Sequence, residues 1–113
     1  MFPTPNTLQL KDEPALRYDA GKLRYDLIPA DALEALARVY THGSHKYADR
    51  NWELGMSYSR CFGSLMRHSW AFWRGENDDP DSGLPHMAMA AWNCFALYCY
   101  STRPAGTDDR PQS

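Results

Sequence analysis

Apolar residues recur at the spacing of an α-helix in three separate stretches of the chain. In the first stretch, residues 30–43, the apolar positions follow an i, i+3, i+4, i+7 pattern and therefore share one helix face. These positions are Leu33, Leu36, Ala37 and Tyr40. Pro29 is tolerated near the start of such a helix, and Gly43 is suited to end it. Residues 44–56 are more polar and predict a short helical turn followed by a loop.

The second stretch, residues 57–75, predicts a helix that begins at Ser57 or Ser59 and ends at Gly75. The residues expected on its buried face are Phe62, Leu65, Met66, Ser69 and either Phe72 or Trp73. Arginine recurs at every seventh position on the other side, and seven residues are nearly two helical turns. This arginine stripe consists of Arg60, Arg67 and Arg74. It could contact phosphate oxygens, or it could be a solvated helix face.

The third stretch, residues 81–101, predicts a helix capped by Asp81 or Ser82, with Pro85 in its first turn. The residues expected in the core are Leu84, Ala88, Ala91 or Trp92, Phe95, and Tyr98 or Cys99. A neighbouring face carries His86, Met89 or Ala90, and Asn93. Because no segment has the alternating pattern of a strand, we expect an all-α fold, a small bundle of three main helices plus short helical turns.

The length of 113 residues predicts a single domain, which a partner chain would help to stabilise because its core is modest. We divide the chain into three parts. Residues 1–17 are expected to form a flexible N-terminal arm, and residues 18–101 a helical domain. Residues 102–113 have little apolar content and are expected to form a disordered C-terminal tail.

Charge and composition exclude several classes of function. Twelve basic residues against fourteen acidic ones give a net charge of −2, so no direct nucleic-acid binding is expected. No apolar stretch approaches the ~20 residues that would span a membrane, and the N-terminal residues do not resemble a signal peptide. The three cysteines form no CxxC pair, which is typical of a reduced, cytoplasmic protein.

The segment RGENDDPDSGLPH, residues 74–86, concentrates groups that could carry chemistry. Its acidic residues offer oxygen ligands of the kind that Mg²⁺ prefers, although acids are also common in loops that precede helices. His68 precedes this loop and His86 ends it. A short connection makes the two helices antiparallel neighbours, so both histidines could approach one end of the pair. They could bind a metal or move a proton, or be buried and bonded to backbone groups.

A second polar segment, HGSHKYADRNW, spans residues 42–52. Lys46 could contact a phosphate group and Asn51 could read the edge of a base. Tyr47 or Trp52 could stack on a nucleotide ring. The alternative is that the two aromatic residues fill the core and that Asn51 caps a turn.

The runs DAGKLRYDLIP, ALEALARVYTHGSHKYADRNW and RHSWAFWRGENDDPDSGLPHMAMAAWN together resemble the phage and bacterial family named for the N-terminal domain of dATP/dGTP diphosphohydrolases. The resemblance covers roughly residues 18–100. The motif positions that carry it are Asp19, Gly21, Lys22, Lys46, Tyr47, Asn51, Trp52, Arg67, His68, Gly75, Glu76, Asp79, Ser82, Gly83, His86 and Asn93. The order of these motifs along the chain is specific for the family and less specific for an activity.

The resemblance implies cleavage of deoxynucleoside triphosphates to monophosphate and pyrophosphate, as in phage members. It also implies a small α-helical fold similar to the MazG-like pyrophosphohydrolases, which depend on metal and form oligomers. Two features depart from those patterns. Met89 stands where a second histidine is expected, and the paired acidic motifs of the two-helix Mg²⁺ site are absent. The metal therefore uses the loop acids and histidines, or the protein binds a nucleotide without cleaving it.

The leading hypothesis is a metal-dependent nucleotide pyrophosphohydrolase that acts on a purine deoxynucleoside triphosphate in the cytoplasm, the host cytoplasm if a phage encodes it. The expected metal is Mg²⁺ or Mn²⁺, with the ligands Glu76, Asp79 and His86. The expected catalytic residues are His68, Glu76 and Asp79. The expected substrate-binding residues are Lys22, Lys46, Tyr47, Asn51, Trp52, Arg67 and Asn93. We expect a homo-oligomer. The alternatives are a protein that sequesters a host signalling nucleotide and a purely structural helical protein.

Overall fold

A computed structural model of the chain describes residues 14–112. Its main elements are three α-helices, α1 (Ala30–Lys46), α2 (Tyr58–Trp73) and α3 (His86–Thr102). Two short 3-10 helices, Tyr25–Leu27 and Asn51–Leu54, precede α1 and α2 respectively. The described part of the chain contains isolated β-bridges but no strand. The all-α prediction is therefore confirmed.

The helix ends differ from the predicted ones at two places. α1 continues past Gly43 to Lys46, and the Tyr47 N–H donates to the carbonyl of Gly43. Glycine here simply takes the helical conformation instead of the left-handed one that ends a helix. α3 begins at His86 with Pro85 before it, several residues later than expected. The reason is that backbone groups of residues 77–86 bond to one another across the loop.

α2 and α3 pack against each other in antiparallel orientation. Cys61 near the start of α2 contacts Ala96 and Tyr100 near the end of α3, while His68 contacts His86 at the opposite end. Most of the buried residues are small. In the two helices they include Cys61, Ala71, Ala88, Ala90 and Ala96. Small side chains let the helix axes approach closely, so polar groups between the helices reach each other directly.

The predicted buried faces of these two helices are corrected by the structure. Phe62 and Phe95 were expected in the core, but their side chains are 54% and 52% exposed. The buried face of α3 instead includes His86 and Asn93, which the apolar pattern had placed on a neighbouring face. The apolar pattern favours the largest hydrophobic residues, whereas this helix pair buries small and hydrogen-bonded ones.

An aromatic cluster fixes the segment between α1 and α2 against α3. The ring of Trp52 lies 6.3 Å from the rings of both Tyr40 and Tyr100, measured between centroids. The Tyr100 hydroxyl donates a hydrogen bond to the carbonyl of Trp52. Burial raises the pKa of Tyr100 to about 12, so this hydroxyl remains a protonated donor at neutral pH. The Asn51–Leu54 turn is consequently held in one position.

The C-terminal segment, predicted to be a disordered tail, lies along the start of α2. The Tyr58 N–H donates to the carbonyl of Thr107, at 2.9 Å between nitrogen and oxygen. The carboxylate of Asp109 accepts hydrogen bonds from the backbone N–H and the hydroxyl of Ser59. Asp109 thus caps α2, a role that Ser57 does not fill with its own side chain.

At the other end of the chain, residues 14–17 of the predicted N-terminal arm are exposed, and residues 1–13 lie outside the described residues. No helix within residues 14–112 combines the length and the apolar character needed to cross a membrane.

Docking of the C-terminal segment can be tested by comparing two glycines. Gly106 and Gly21 have φ angles of 76° and 81°. Alanine at either site would therefore be strained in the left-handed backbone conformation by a similar free energy, roughly 1–2 kcal/mol. A Cβ on Gly106 would also lie 2.8 Å from the Met56 carbonyl oxygen, whereas one on Gly21 meets no atom within 4 Å. We expect Gly106→Ala to lower the free energy of unfolding in urea by about 1–3 kcal/mol more than Gly21→Ala. Equal losses would contradict the observed packing.

Candidate functional site

A cleft of about 1140 Å³ opens between α1, the segment that follows it, and the α2–α3 pair. Several residues predicted from the sequence line this cleft together. They are Lys46, Tyr47, Asn51, Trp52, His68, Asp79 and Asn93. Ligand pockets for small molecules typically measure about 300–1,000 Å³, so the cleft has room for a nucleotide.

Four of the predicted site residues do not line the cleft. Lys22 lies in an exposed turn that its N–H closes by donating to the Asp19 carbonyl. The guanidinium of Arg67 folds back over Gly63, which has no side chain to displace it. Glu76 and His86 are joined to the lining residue His68 by hydrogen bonds.

The turn that ends α2 positions Glu76. Gly75 has a φ of 104° and its N–H donates to the Phe72 carbonyl, while the Glu76 N–H donates to the Ala71 carbonyl. This pair of bonds is a Schellman motif, which requires a left-handed residue at the position of Gly75. The loop then returns to α3, and the His86 N–H donates to the Asn77 carbonyl at 2.9 Å. The end of α2 and the start of α3 are thereby fixed relative to each other.

Three side chains form a continuous hydrogen-bonded row from the surface to the cleft. His86 Nε2 lies 2.7 Å from Glu76 Oε1, and His86 Nδ1 lies 2.8 Å from His68 Nδ1. His86 is only 4% exposed, whereas the Glu76 side chain is 53% exposed. Both ring nitrogens of His86 therefore have hydrogen-bond partners. Of the three residues in the row, only His68 lines the cleft.

The surroundings of His68 favour its neutral form. Burial lowers the pKa of His68, and the neighbouring His86 and Arg67 lower it further, against an opposing effect of Asp79. A histidine with a pKa below its ordinary value of 6.5 is neutral at pH 7 and can accept a proton.

Asp79 is ionised at the mouth of the cleft. Burial opposes ionisation, but hydrogen bonds from the Ser82 hydroxyl and the Asp81 N–H outweigh it. The nearby His68 and His86 act in the same direction, so the pKa of Asp79 is lowered. Asp79 thus places negative charge near His68, and Asp81 also lines the cleft.

Asn93 is a buried polar residue that faces the cleft, with 4% of its surface exposed. Its Nδ2 donates to Ser64 Oγ at 3.1 Å and to the Met89 carbonyl at 3.0 Å. Because a carbonyl can only accept, the contact with Met89 fixes which end of the amide is nitrogen. Among residues 14–112, no group donates a hydrogen bond to Asn93 Oδ1, which leaves this oxygen available for a ligand donor.

Arg60 and Ser64 also line the cleft and were not among the predicted site residues. Together with His68 they recur at every fourth position and so occupy one face of α2. This four-residue spacing groups Arg60 with Ser64 and His68, whereas the seven-residue spacing of the arginine stripe had grouped Arg60 with Arg67 and Arg74. The cleft therefore receives its positive charge from Lys46 and Arg60, together with Arg50, which pairs with Glu53.

The predicted metal ligands do not form one ligand set in this arrangement. His86 uses both ring nitrogens for His68 and Glu76, and Asp79 Oδ2 accepts from Ser82. In the described part of the chain, no three or more His, Cys, Asp or Glu side chains are grouped so as to hold a metal ion. The need for Mg²⁺ or Mn²⁺ stays a prediction.

Comparison with known proteins gives two matches. The family model described as "dATP/dGTP diphosphohydrolase, N-terminal" matches residues 12–110. A protein of Salmonella phage PMBT28 named dATP/dGTP diphosphohydrolase is 31% identical over 96 residues. The aligned region is 84% of this chain but 33% of that relative, so the chain spans about a third of the relative's length. No solved structure matches the chain.

The lowered pKa of His68 predicts a specific dependence of stability on pH. The folded state binds a proton at His68 less readily than the unfolded state does, so stability is full above pH 6.5 and is lost as pH falls through the folded pKa. We expect His68→Gln to remove this acid-side loss, measured as unfolding free energy at pH 7.5 and 5.5. His45→Gln, at an exposed position of α1, is the control. An unchanged pH dependence in His68→Gln would contradict the assignment.

Proposed function

Because the chain belongs to the dATP/dGTP diphosphohydrolase N-terminal family, we propose that it hydrolyses a purine deoxynucleoside triphosphate to the monophosphate and pyrophosphate. The observation that carries this proposal is the shared cleft of Lys46, His68 and Asn93. It combines a phosphate-binding cation, a neutral base and a free acceptor in one space that fits a nucleotide.

Binding in this proposal uses both the charge and the shape of the cleft. Lys46 and Arg60 contact the phosphate oxygens, and Arg60 can do so with two parallel hydrogen bonds. Tyr47 offers an exposed ring for stacking, whereas Trp52 is held by the aromatic cluster and forms part of the wall. The Asn51 amide can donate to or accept from the base or sugar, whereas the free Oδ1 of Asn93 accepts a hydrogen bond from it.

The hydrolytic step uses the neutral ring of His68. A water molecule attacks phosphorus, and the base that removes its proton must lie within hydrogen-bond reach of it. His68 lines the cleft and has a lowered pKa, which supports this role. Lys46 and Arg60 stabilise the charge that develops on the departing pyrophosphate. The proposed hydrolytic step does not use Glu76, Asp79 and His86 as metal ligands.

A second function, sequestration of a nucleotide without cleavage, is favoured by one observation. Residues 14–112 lack a preformed group of acidic and histidine side chains for a metal ion, whereas the basic and aromatic residues needed for binding line the cleft. A sequestering protein would return the nucleotide unaltered after denaturation, while the enzyme would return monophosphate and pyrophosphate.

We also propose that the protein forms homo-oligomers in the cytoplasm. Phe62, Met66 and Trp70 recur at every fourth position of α2, and all three are exposed. Such a stripe of large apolar residues is typical of a face that another protein surface covers. The three cysteines are unpaired in the structure, as expected in a reducing compartment.

The activity is tested by incubating the protein with dATP, dGTP and a panel of other nucleotides, with and without Mg²⁺ or Mn²⁺. We expect pyrophosphate and the monophosphate as products. Because His68 is the proposed base, His68→Gln should lower kcat by about 10²–10⁴-fold. Lack of turnover across all nucleotides and metals would contradict the proposed reaction, and return of intact bound nucleotide would support sequestration.

Phosphate recognition predicts a different kinetic effect. Removing the positive charge in Lys46→Gln or Arg60→Gln should raise KM for the triphosphate by about tenfold or more, since one charge-assisted hydrogen bond contributes about 1.5–3 kcal/mol. Arg38→Gln, which breaks only an exposed pair with Glu34, should leave KM unchanged and serves as the matched control. A KM in Lys46→Gln and Arg60→Gln equal to that of Arg38→Gln would mean that the phosphates bind outside the reach of Lys46 and Arg60.

Oligomer formation is measured by light scattering during size-exclusion chromatography. We expect the wild type to elute above the mass of one 12.9 kDa chain. Phe62→Glu and Trp70→Glu should elute as monomers, because a buried unpaired charge opposes association. Glu34→Gln on α1 should elute like the wild type. A monomeric wild type at all concentrations would contradict the proposal.

A further inference from the structure

The row Glu76–His86–His68 determines where the protons of both imidazoles lie. An ionised carboxylate can only accept hydrogen bonds, so Glu76 Oε1 requires the proton on His86 Nε2. If His86 carries only this one proton, its Nδ1 is an acceptor. Since this atom lies 2.8 Å from His68 Nδ1, the proton between the two rings then belongs to His68 Nδ1. His68 Nε2 is left without a proton.

The direction of this row matches the position of the cleft. His68 lines the cleft, whereas His86 and Glu76 lie outside its lining. Nδ1 of His68 is occupied by His86, so Nε2 is the ring nitrogen that remains for a group in the cleft. Glu76, at the surface, therefore sets the tautomer of His68 through the ring of His86, which lies between them.

We propose that Glu76 and His86 are positioning residues that hold His68 with Nε2 unprotonated, ready to accept a proton from the attacking water. This inference rests on the proposed function and replaces the expected metal-ligand role of Glu76 and His86. The water oxygen forms a bond to the α-phosphorus, and the bond from that phosphorus to the bridging oxygen breaks. Pyrophosphate leaves with the bond electrons, and the water proton goes to His68 Nε2.

The carboxylate also compensates the charge that this step creates. When Nε2 gains a proton, His68 becomes a cation that still donates from Nδ1 to His86, which in turn donates to Glu76. Other charged groups act on the same ring, namely Asp79 in the loop and Arg67 on α2. Asp79 favours the cation and Arg67 opposes it. Glu76 differs from both because it acts through hydrogen bonds that also fix the tautomer.

Nitrogen NMR of the histidine rings tests the proton positions without any turnover. In ¹⁵N-labelled protein at pH 7.5, we expect His68 as the Nδ1–H tautomer and His86 as the Nε2–H tautomer, with signals assigned by single His→Gln variants. Glu76→Gln can both donate and accept, so it should yield a mixture of tautomers. Glu34→Gln should leave the wild-type pattern intact. A protonated Nε2 on His68 in the wild type would overturn the proposal.

Kinetics distinguish a positioning role from a structural or metal-binding one. We expect Glu76→Gln to lower kcat about tenfold or more while KM stays within about twofold, because proton transfer is impaired and binding is not. If turnover needs Mg²⁺, the half-saturating concentration should not change. A raised Mg²⁺ requirement would assign Glu76 to the metal, and an unchanged kcat would leave it a structural role only. Either result overturns the proposal.

Failure of the proposed function gives a different result. A wild type that cleaves no nucleotide contradicts the hydrolase, and the tautomer measurement on the same protein still decides whether Glu76 and His86 orient His68.

Discussion

The hydrogen bond between His68 and His86 depends on the close approach of α2 and α3, and the candidate site depends on that bond. Alanine and cysteine side chains fill most of the buried contact between the two helices, so their polar side chains meet directly. The turn at Gly75 and the loop that follows it fix the register. A bulkier contact would separate the two imidazoles, and the row from Glu76 to the cleft would be interrupted.

In the proposed reaction, different structural elements of the cleft carry out binding and chemistry. α1 and the start of α2 supply the cations Lys46 and Arg60, while the far end of α2 supplies His68. Asp79 acts electrostatically on His68, whereas Lys46 and Arg60 are cations of the same cleft. A triphosphate bound as proposed would have its terminal phosphates at these cations and its α-phosphorus near the base.

The sequence predicted the parts of this arrangement that depend on short distances along the chain. Three helices follow from periodicity, and the meeting of His68 with His86 follows from the short connection between α2 and α3. The buried faces of α2 and α3 could not be predicted from periodicity. Periodicity does not choose between neighbouring helix faces when one carries large aromatic residues and the other carries His86 and Asn93. The C-terminal segment was missed for another reason. Its contact between Asp109 and Ser59 spans 50 residues and leaves no local pattern.

We propose that the cleft orients a triphosphate with its α-phosphorus facing His68. A crystal structure with a dGTP analogue that carries a methylene group between the α- and β-phosphates tests it most directly. The account predicts phosphate oxygens at Lys46 and Arg60, and a water between the α-phosphorus and His68 Nε2. An analogue bound outside the cleft, or with its α-phosphorus far from His68, would contradict the account.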